Sequence, residues 1–205
     1  MEEFKNFEIK EKTNYFQIII ENREYIFPGI FYICGLLIGT VFYGNIESSI
    51  VAKIIDLTTE NNNEYFTIFI NLFCSYFSVY VITVLLGLCL IGFPFVNILP
   101  LVVGVITGIK LSHYYVTYSV KGIGYSLLMI IPEITALVTV LLFTIKCSNE
   151  LSKYIYDATT KKIDTIQEFN LKSYLKSFLL YGFFVVIIAI VNAVLQYLLQ
   201  SIIQI

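Results

Sequence analysis

Apolar residues in this chain fall in blocks of about twenty, separated by short polar interruptions, rather than in the short periodic runs of a water-soluble core. Blocks of that length match the thickness of a bilayer, so each predicts a spanning helix. Five are expected, at about 25–43, 65–91, 97–117, 123–146 and 178–199. The second is long enough that, at about 1.5 Å per residue, it exceeds the roughly 30 Å hydrocarbon layer and should tilt or protrude. Phe66, Phe69, Phe73, Phe77 and Tyr80 recur along it at steps of three and four, which makes one aromatic stripe for lipid or a neighbouring helix. The centre of the pattern is Leu86–Glu133: one whole span and the facing ends of its two neighbours, joined by turns at Gly92-Phe-Pro94 and around Ser119 to Gly122.

Between the blocks lie three polar segments. Residues 1–24 mix Lys5, Lys10, Lys12 and Arg23 with Phe4, Phe7 and Phe16, a pattern that fits a cytoplasmic tail, either solvated or lying on the membrane as an interfacial helix. Residues 44–64 form a loop with room for one short surface helix. Residues 147–176 form a second loop, which an interfacial helix could end. The remainder, 25–205, reads as a single transmembrane domain.

Composition agrees with this picture. The chain is 58% hydrophobic and 14% charged, with a mean hydropathy of +0.80, whereas soluble domains carry nearer a quarter charged residues. The expected class is therefore an all-α, polytopic integral membrane protein. Cys34, Cys74, Cys89 and Cys147 fall in or beside apolar blocks without metal-type spacing and read as small packing residues. Five spans put the termini on opposite sides, and the placement of basic residues chooses the orientation. With the N-terminus inside, the cytoplasmic side holds Lys5, Lys10, Lys12, Arg23, Lys146, Lys153, Lys161, Lys162, Lys172 and Lys176, against Lys53 and Lys121 outside. The N-terminus is expected in the cytoplasm and the C-terminus outside.

Small and polar residues within the spans mark the candidate sites. Gly35 with Gly39, and Gly104 with Gly108, place paired glycines on single helix faces and predict close packing of the first and third spans. Pro94, Pro100 and Pro132 are expected helix breaks, because proline lacks a donor and clashes with the preceding turn. Three ionisable residues fall inside the bilayer: Lys110, His113 and Glu133. Counted from the outer turn, Lys110 and Glu133 lie at similar depth, roughly 12 and 15 Å down, which suggests an ion pair with His113 one turn away. The bland alternative is a snorkelling lysine and a neutral or hydrogen-bonded glutamate.

Catalytic patterns are absent from the sequence. One histidine excludes an HExxH zinc site, and neither a Gly-x-Ser-x-Gly elbow nor a phosphate loop occurs. The expectation is a non-enzymatic protein with no metal, no cofactor and no nucleic-acid partner.

Read as a series, Asn22-Arg-Glu-Tyr-Ile-Phe, Gly35 and Gly39, Gly87-Leu-Cys-Leu-Ile-Gly-Phe-Pro94, Gly104-Val-Ile-Thr-Gly108, Lys121-Gly122 and Pro132 resemble the stage II sporulation protein M family of bacterial and archaeal membrane proteins. The family often carries a longer polar element after the proline. Here Glu133-Ile-Thr-Ala stands in its place, so roles tied to that element are not carried over. In spore formers the resemblance implies a cytoplasmic-membrane anchor that recruits peptidoglycan-degrading enzymes to the septum during engulfment. In relatives outside spore formers it implies a link to transport-type membrane complexes.

Two functions are therefore expected to compete. One is a membrane scaffold that holds membrane or cell-wall-associated proteins by its outer loop and helix faces, alone or as a homo-oligomer. The other is a permease-like subunit of a transport complex, whose warrant is the Lys110, His113 and Glu133 set together with the prolines.

Overall fold

The computed structural model describes residues 23–56, 65–90, 92–160 and 171–203, and all regular structure within them is helical. The expected tail at 1–22 lies outside the described residues. The helices are α1 (Arg23–Phe42), α2 (Ser48–Asp56), α3 (Tyr65–Leu88), α4 (Gly92–Tyr125), α5 (Ile131–Thr160) and α6 (Leu171–Ile203). A 3₁₀ turn, Tyr43–Asn45, follows α1, and a π-helical turn, Ser126–Ile130, joins α4 to α5. Four helical stretches among the described residues are long and apolar enough to cross a membrane: Arg23–Asn45, Tyr65–Leu88, Gly92–Thr160 and Tyr174–Leu198.

The longest stretch folds back on itself. Ser119 has φ 49° and ψ −123°, far from helical values. Twenty-three residues of unbroken helix would separate Lys110 from Glu133 by about 34 Å, yet their side chains are 3.3 Å apart. Gly122 completes the reversal, since a Cβ there would collide with the Tyr114 carbonyl. Tyr114, Tyr125, Met129 and Ile130 pack together beneath the turn.

Helix directions follow from side-chain neighbours. Gly35 lies against Leu101 and Gly39 against Val105, so α1 and α4 run parallel. Tyr65 meets Tyr197, and Tyr80 donates to the Phe178 carbonyl at 2.6 Å, so α3 and α6 run antiparallel. That second pair closes over Ile68, Leu72, Tyr76, Val185, Ala189 and Ala193, where the fully buried alanines let the backbones approach. Buried positions on α6 fall at Tyr174, Phe178, Val185, Ala189, Asn192, Ala193 and Gln196, one stripe two residues wide at 192–193. The other side of α6, including Leu179, Phe183 and Val191, is apolar and exposed, as a lipid-facing surface should be. The aromatic stripe on α3 is continuous, with Phe69–Phe73, Phe73–Phe77 and Phe77–Tyr80 ring contacts of 5.9, 5.1 and 6.0 Å.

Two expectations are corrected. The fourth helix does not give way to a loop after Lys146: α5 continues to Thr160. Its polar residues are held by α3 and the turn that follows it, with Ser148 Oγ donating to the Thr83 carbonyl at 3.1 Å and Ser152 Oγ to the Cys89 carbonyl at 3.0 Å. Nor do all the prolines break helices. Pro94 sits in the first turn of α4, where its missing donor costs nothing, and Pro100 is buried inside α4 without interrupting it. Pro132 follows the π turn, whose wider ring, closed by Ile131 N–H to the Ser126 carbonyl, makes room for it without ending the helix. The 44–64 region contains one short helix, α2, and its residues 57–64 lie outside the described residues.

Candidate functional site

The polar residues that the sequence singles out converge on two places. The first is the α1–α4 contact. Added Cβ atoms at Gly35 and Gly39 would run into the Leu101 and Val105 carbonyls, and at Gly104 and Gly108 into those of Tyr32 and Leu36. The glycines of each helix are thus pressed on the backbone of the other. Any side chain would force the pair apart.

The second is a buried junction near the Ser119 end of the bundle. Lys110 on α4 and Glu133 in the first turn of α5 are each 5% exposed, and Lys110 Nζ lies 3.3 Å from Glu133 Oε1. The same carboxylate oxygen accepts the Tyr76 hydroxyl of α3 at 2.5 Å, and Asn192 Nδ2 of α6 donates to that hydroxyl at 3.4 Å. Four helices therefore meet through one hydrogen-bonded chain. Because the pair is neutral as a unit and shielded from water, removing either member strands a charge in a medium that cannot solvate it.

His113 does not join this junction. It sits three residues after Lys110, rotated by about 60° around the helix, and its Nδ1 lies 3.2 Å from the hydroxyl of Tyr43 in the 3₁₀ turn after α1. Its ring also packs edge-on against Tyr114 at 5.8 Å. His113 fastens the end of α1 to α4.

Tyr76 and Asn192 complete the junction and are not signalled by charge or motif. Their only trace in the sequence is a neutral polar group inside an apolar block, which lipid makes costly unless it is paired. Four further buried groups have no hydrogen-bond partner among the described residues: Glu133 Oε2, Ser126 Oγ, the Tyr32 hydroxyl and both amide atoms of Gln196. Gln196 lies one turn beyond Asn192 on α6, the helix that touches the π turn carrying Ser126.

A second polar line crosses the opposite end of the bundle. Asn97 of α4 and Asn149 of α5 exchange amide contacts at 3.1 and 3.4 Å, and Ser152 Oγ accepts the Phe93 N–H at 3.2 Å. Lys153 Nζ pairs with Glu24 Oε1 of α1 at 3.2 Å. No cluster of three or more metal-ligating His, Cys, Asp or Glu side chains occurs among the described residues.

Comparison with curated proteins and with solved structures gives no match. The family model described as "Stage II sporulation protein M" matches residues 29–196, a span that contains the glycine contact, the reversal at Ser119 and all four residues of the buried junction. That membership, with four stretches apolar enough to cross a bilayer, puts the protein in a membrane. The chain belongs to the stage II sporulation protein M family.

Proposed function

We propose that the protein is a non-enzymatic scaffold of the cytoplasmic membrane, which anchors partner proteins such as peptidoglycan hydrolases at the bilayer. It crosses the membrane five times, N-terminus in the cytoplasm and C-terminus outside. The alternation of helix directions supports five crossings, and the excess of basic residues on one side supports the orientation.

The observation that carries the reading is the buried junction of Lys110, Glu133, Tyr76 and Asn192. It joins α3, α4, α5 and α6 by charge-assisted bonds at a point closed to water, which suits a rigid frame presenting fixed outer faces. Apolar residues exposed on those faces, such as Phe27, Val41, Leu179 and Phe183, meet lipid or the helices of a partner.

The test is crosslinking of the tagged protein in its native membrane, followed by purification in mild detergent and mass spectrometry. Cell-wall hydrolases or their membrane partners among the captured proteins are the expected result. Recovery as a lone chain after crosslinking contradicts the scaffold.

A permease-like subunit is the second reading, and the unpartnered Glu133 Oε2, Ser126 and Gln196 groups favour it, since unfilled polar sites inside a bundle suit a passing solute or proton. It predicts an ATPase subunit or a second polytopic protein captured in fixed ratio. It also predicts that Glu133→Gln abolishes function at unchanged protein level, whereas the scaffold reading predicts a loss of stability with partner capture per molecule retained.

A further inference from the structure

At the end of the bundle opposite Ser119, a groove of about 590 Å³ opens between the start of α1, the start of α4 and the later part of α5. Its size falls within the range of about 300–1,000 Å³ common to small-molecule sites. Its lining is graded. Phe27 and Ile98, which face outward from the bundle, and the half-buried Phe31 form an apolar wall, while Arg23, Lys153 and the Asn97–Asn149 pair supply polar groups at the other end.

Arg23 begins the first apolar stretch and Gly92 begins the third, so this end of the groove lies where a bilayer passes from hydrocarbon to headgroups. Lys153 is held there rather than loose: its ammonium is 3.2 Å from Glu24 Oε1 and 4.9 Å from the centre of the Phe93 ring. The Lys153 side chain nevertheless remains 43% exposed and can still offer donors to a ligand. Behind it Asn149, 2% exposed, is fixed by Asn97, whose own amide also donates to the Phe93 carbonyl at 2.6 Å. Two cations face one carboxylate across the groove. That carboxylate already takes the Lys153 ammonium, so it has little to give the ammonium of a zwitterionic headgroup.

We propose that this groove binds one anionic phospholipid, with its phosphate held by Arg23 and Lys153 and an acyl chain lying along Phe27, Phe31 and Ile98. The lipid would fill the space between α1 and α5 beside the Glu24–Lys153 ion pair and the Tyr25–Phe143 ring contact, and so brace α1 further against the bundle.

Native mass spectrometry of the full-length protein released from detergent, titrated with palmitoyl-oleoyl phosphatidylglycerol, phosphatidylethanolamine or phosphatidylcholine, tests the proposal. The expected result is one phosphatidylglycerol adduct, favoured about fivefold or more over the other two, because each basic group near an anionic surface contributes on that order. Arg23→Gln and Lys153→Gln should each weaken it about fivefold, while Lys172→Gln, an exposed lysine outside the groove, should leave it unchanged. Glu24→Gln separates ligand binding from folding: it removes the ion pair and a negative charge from the groove, yet should strengthen phosphatidylglycerol binding by freeing Lys153, whereas general damage to this end would weaken it. Equal retention of the three lipids, weakened binding in Glu24→Gln, or displacement of the lipid by millimolar glycerol phosphate would each overturn the assignment, the last by showing that the site takes a free phosphate.

Discussion

Replacing Gly35 by alanine tests how α1 is attached. In an exposed helix the exchange is favourable by about 0.8–1.0 kcal/mol, since alanine loses less backbone freedom than glycine. Gly29, six residues earlier on the same helix, has open space around it, so Gly29→Ala should show that gain or a neutral effect. At Gly35 the new methyl would strike the Leu101 carbonyl, and the atom in the way is backbone, which cannot rotate aside. Either α1 shifts away from α4 or both helices bend, and overpacking of this kind costs typically about 1–3 kcal/mol. The buried residues of α1 are Pro28, Gly35 and Gly39, so once the glycine face separates the helix keeps only contacts near its ends, chiefly the Glu24–Lys153 pair and the Tyr43–His113 link. The net effect should be a loss of up to about 2 kcal/mol after the propensity gain is subtracted. The assay is the fraction of monodisperse protein left after graded heating in mild detergent, with Gly29→Ala run beside it. Equal melting of the two variants, or a more stable Gly35→Ala, would refute the close contact.

Two further predictions concern the turns and the corrected end of α5. Ser119→Gly should raise stability by about 1 kcal/mol, since strain at a sparsely populated backbone conformation is of that order and glycine relieves it; a lower melting temperature would count against a left-handed residue at the reversal. Ser152→Ala leaves the Phe93 N–H without its acceptor and removes one of the two donors to the Cys89 carbonyl, which should cost about 1–3 kcal/mol in the same assay. An unchanged midpoint would mean that the start of α4 does not lean on α5.

How much could be read from the sequence depended on whether the deciding partner was local. The apolar blocks were legible because lipid demands about twenty residues per span and allows little else. The glycine pairs were legible because a spacing of four fixes them on one face whatever the partner. Lys110 and Glu133 could be matched in depth because the turn between their helices is too short to offset them. The same reasoning groups His113 with them, but Tyr43, seventy residues earlier, gives it a hydrogen-bond partner elsewhere, and no sequence window contains both. The same limit hid Tyr76 and Asn192, whose partners lie on other helices. Residues 147–152 read as a loop because Ser148, Asn149 and Ser152 look solvated. In the fold their donors are taken by carbonyls of α3 and of the turn after it and by an amide of α4, so the helix continues. Pro100 misled in the opposite sense, since a buried helix can absorb a missing donor when its neighbours support it.

The claim on which the account turns is that Lys110 and Glu133 lock the two arms of the Ser119 reversal together. A double-mutant cycle tests it: Lys110→Met, Glu133→Gln and the pair, compared by thermal stability in mild detergent. Each single change should cost about 3–5 kcal/mol, because it leaves one charge buried without its counterpart, while the double variant removes both charges and should recover most of that loss. Additive losses, or single variants as stable as the parent protein, would contradict the lock.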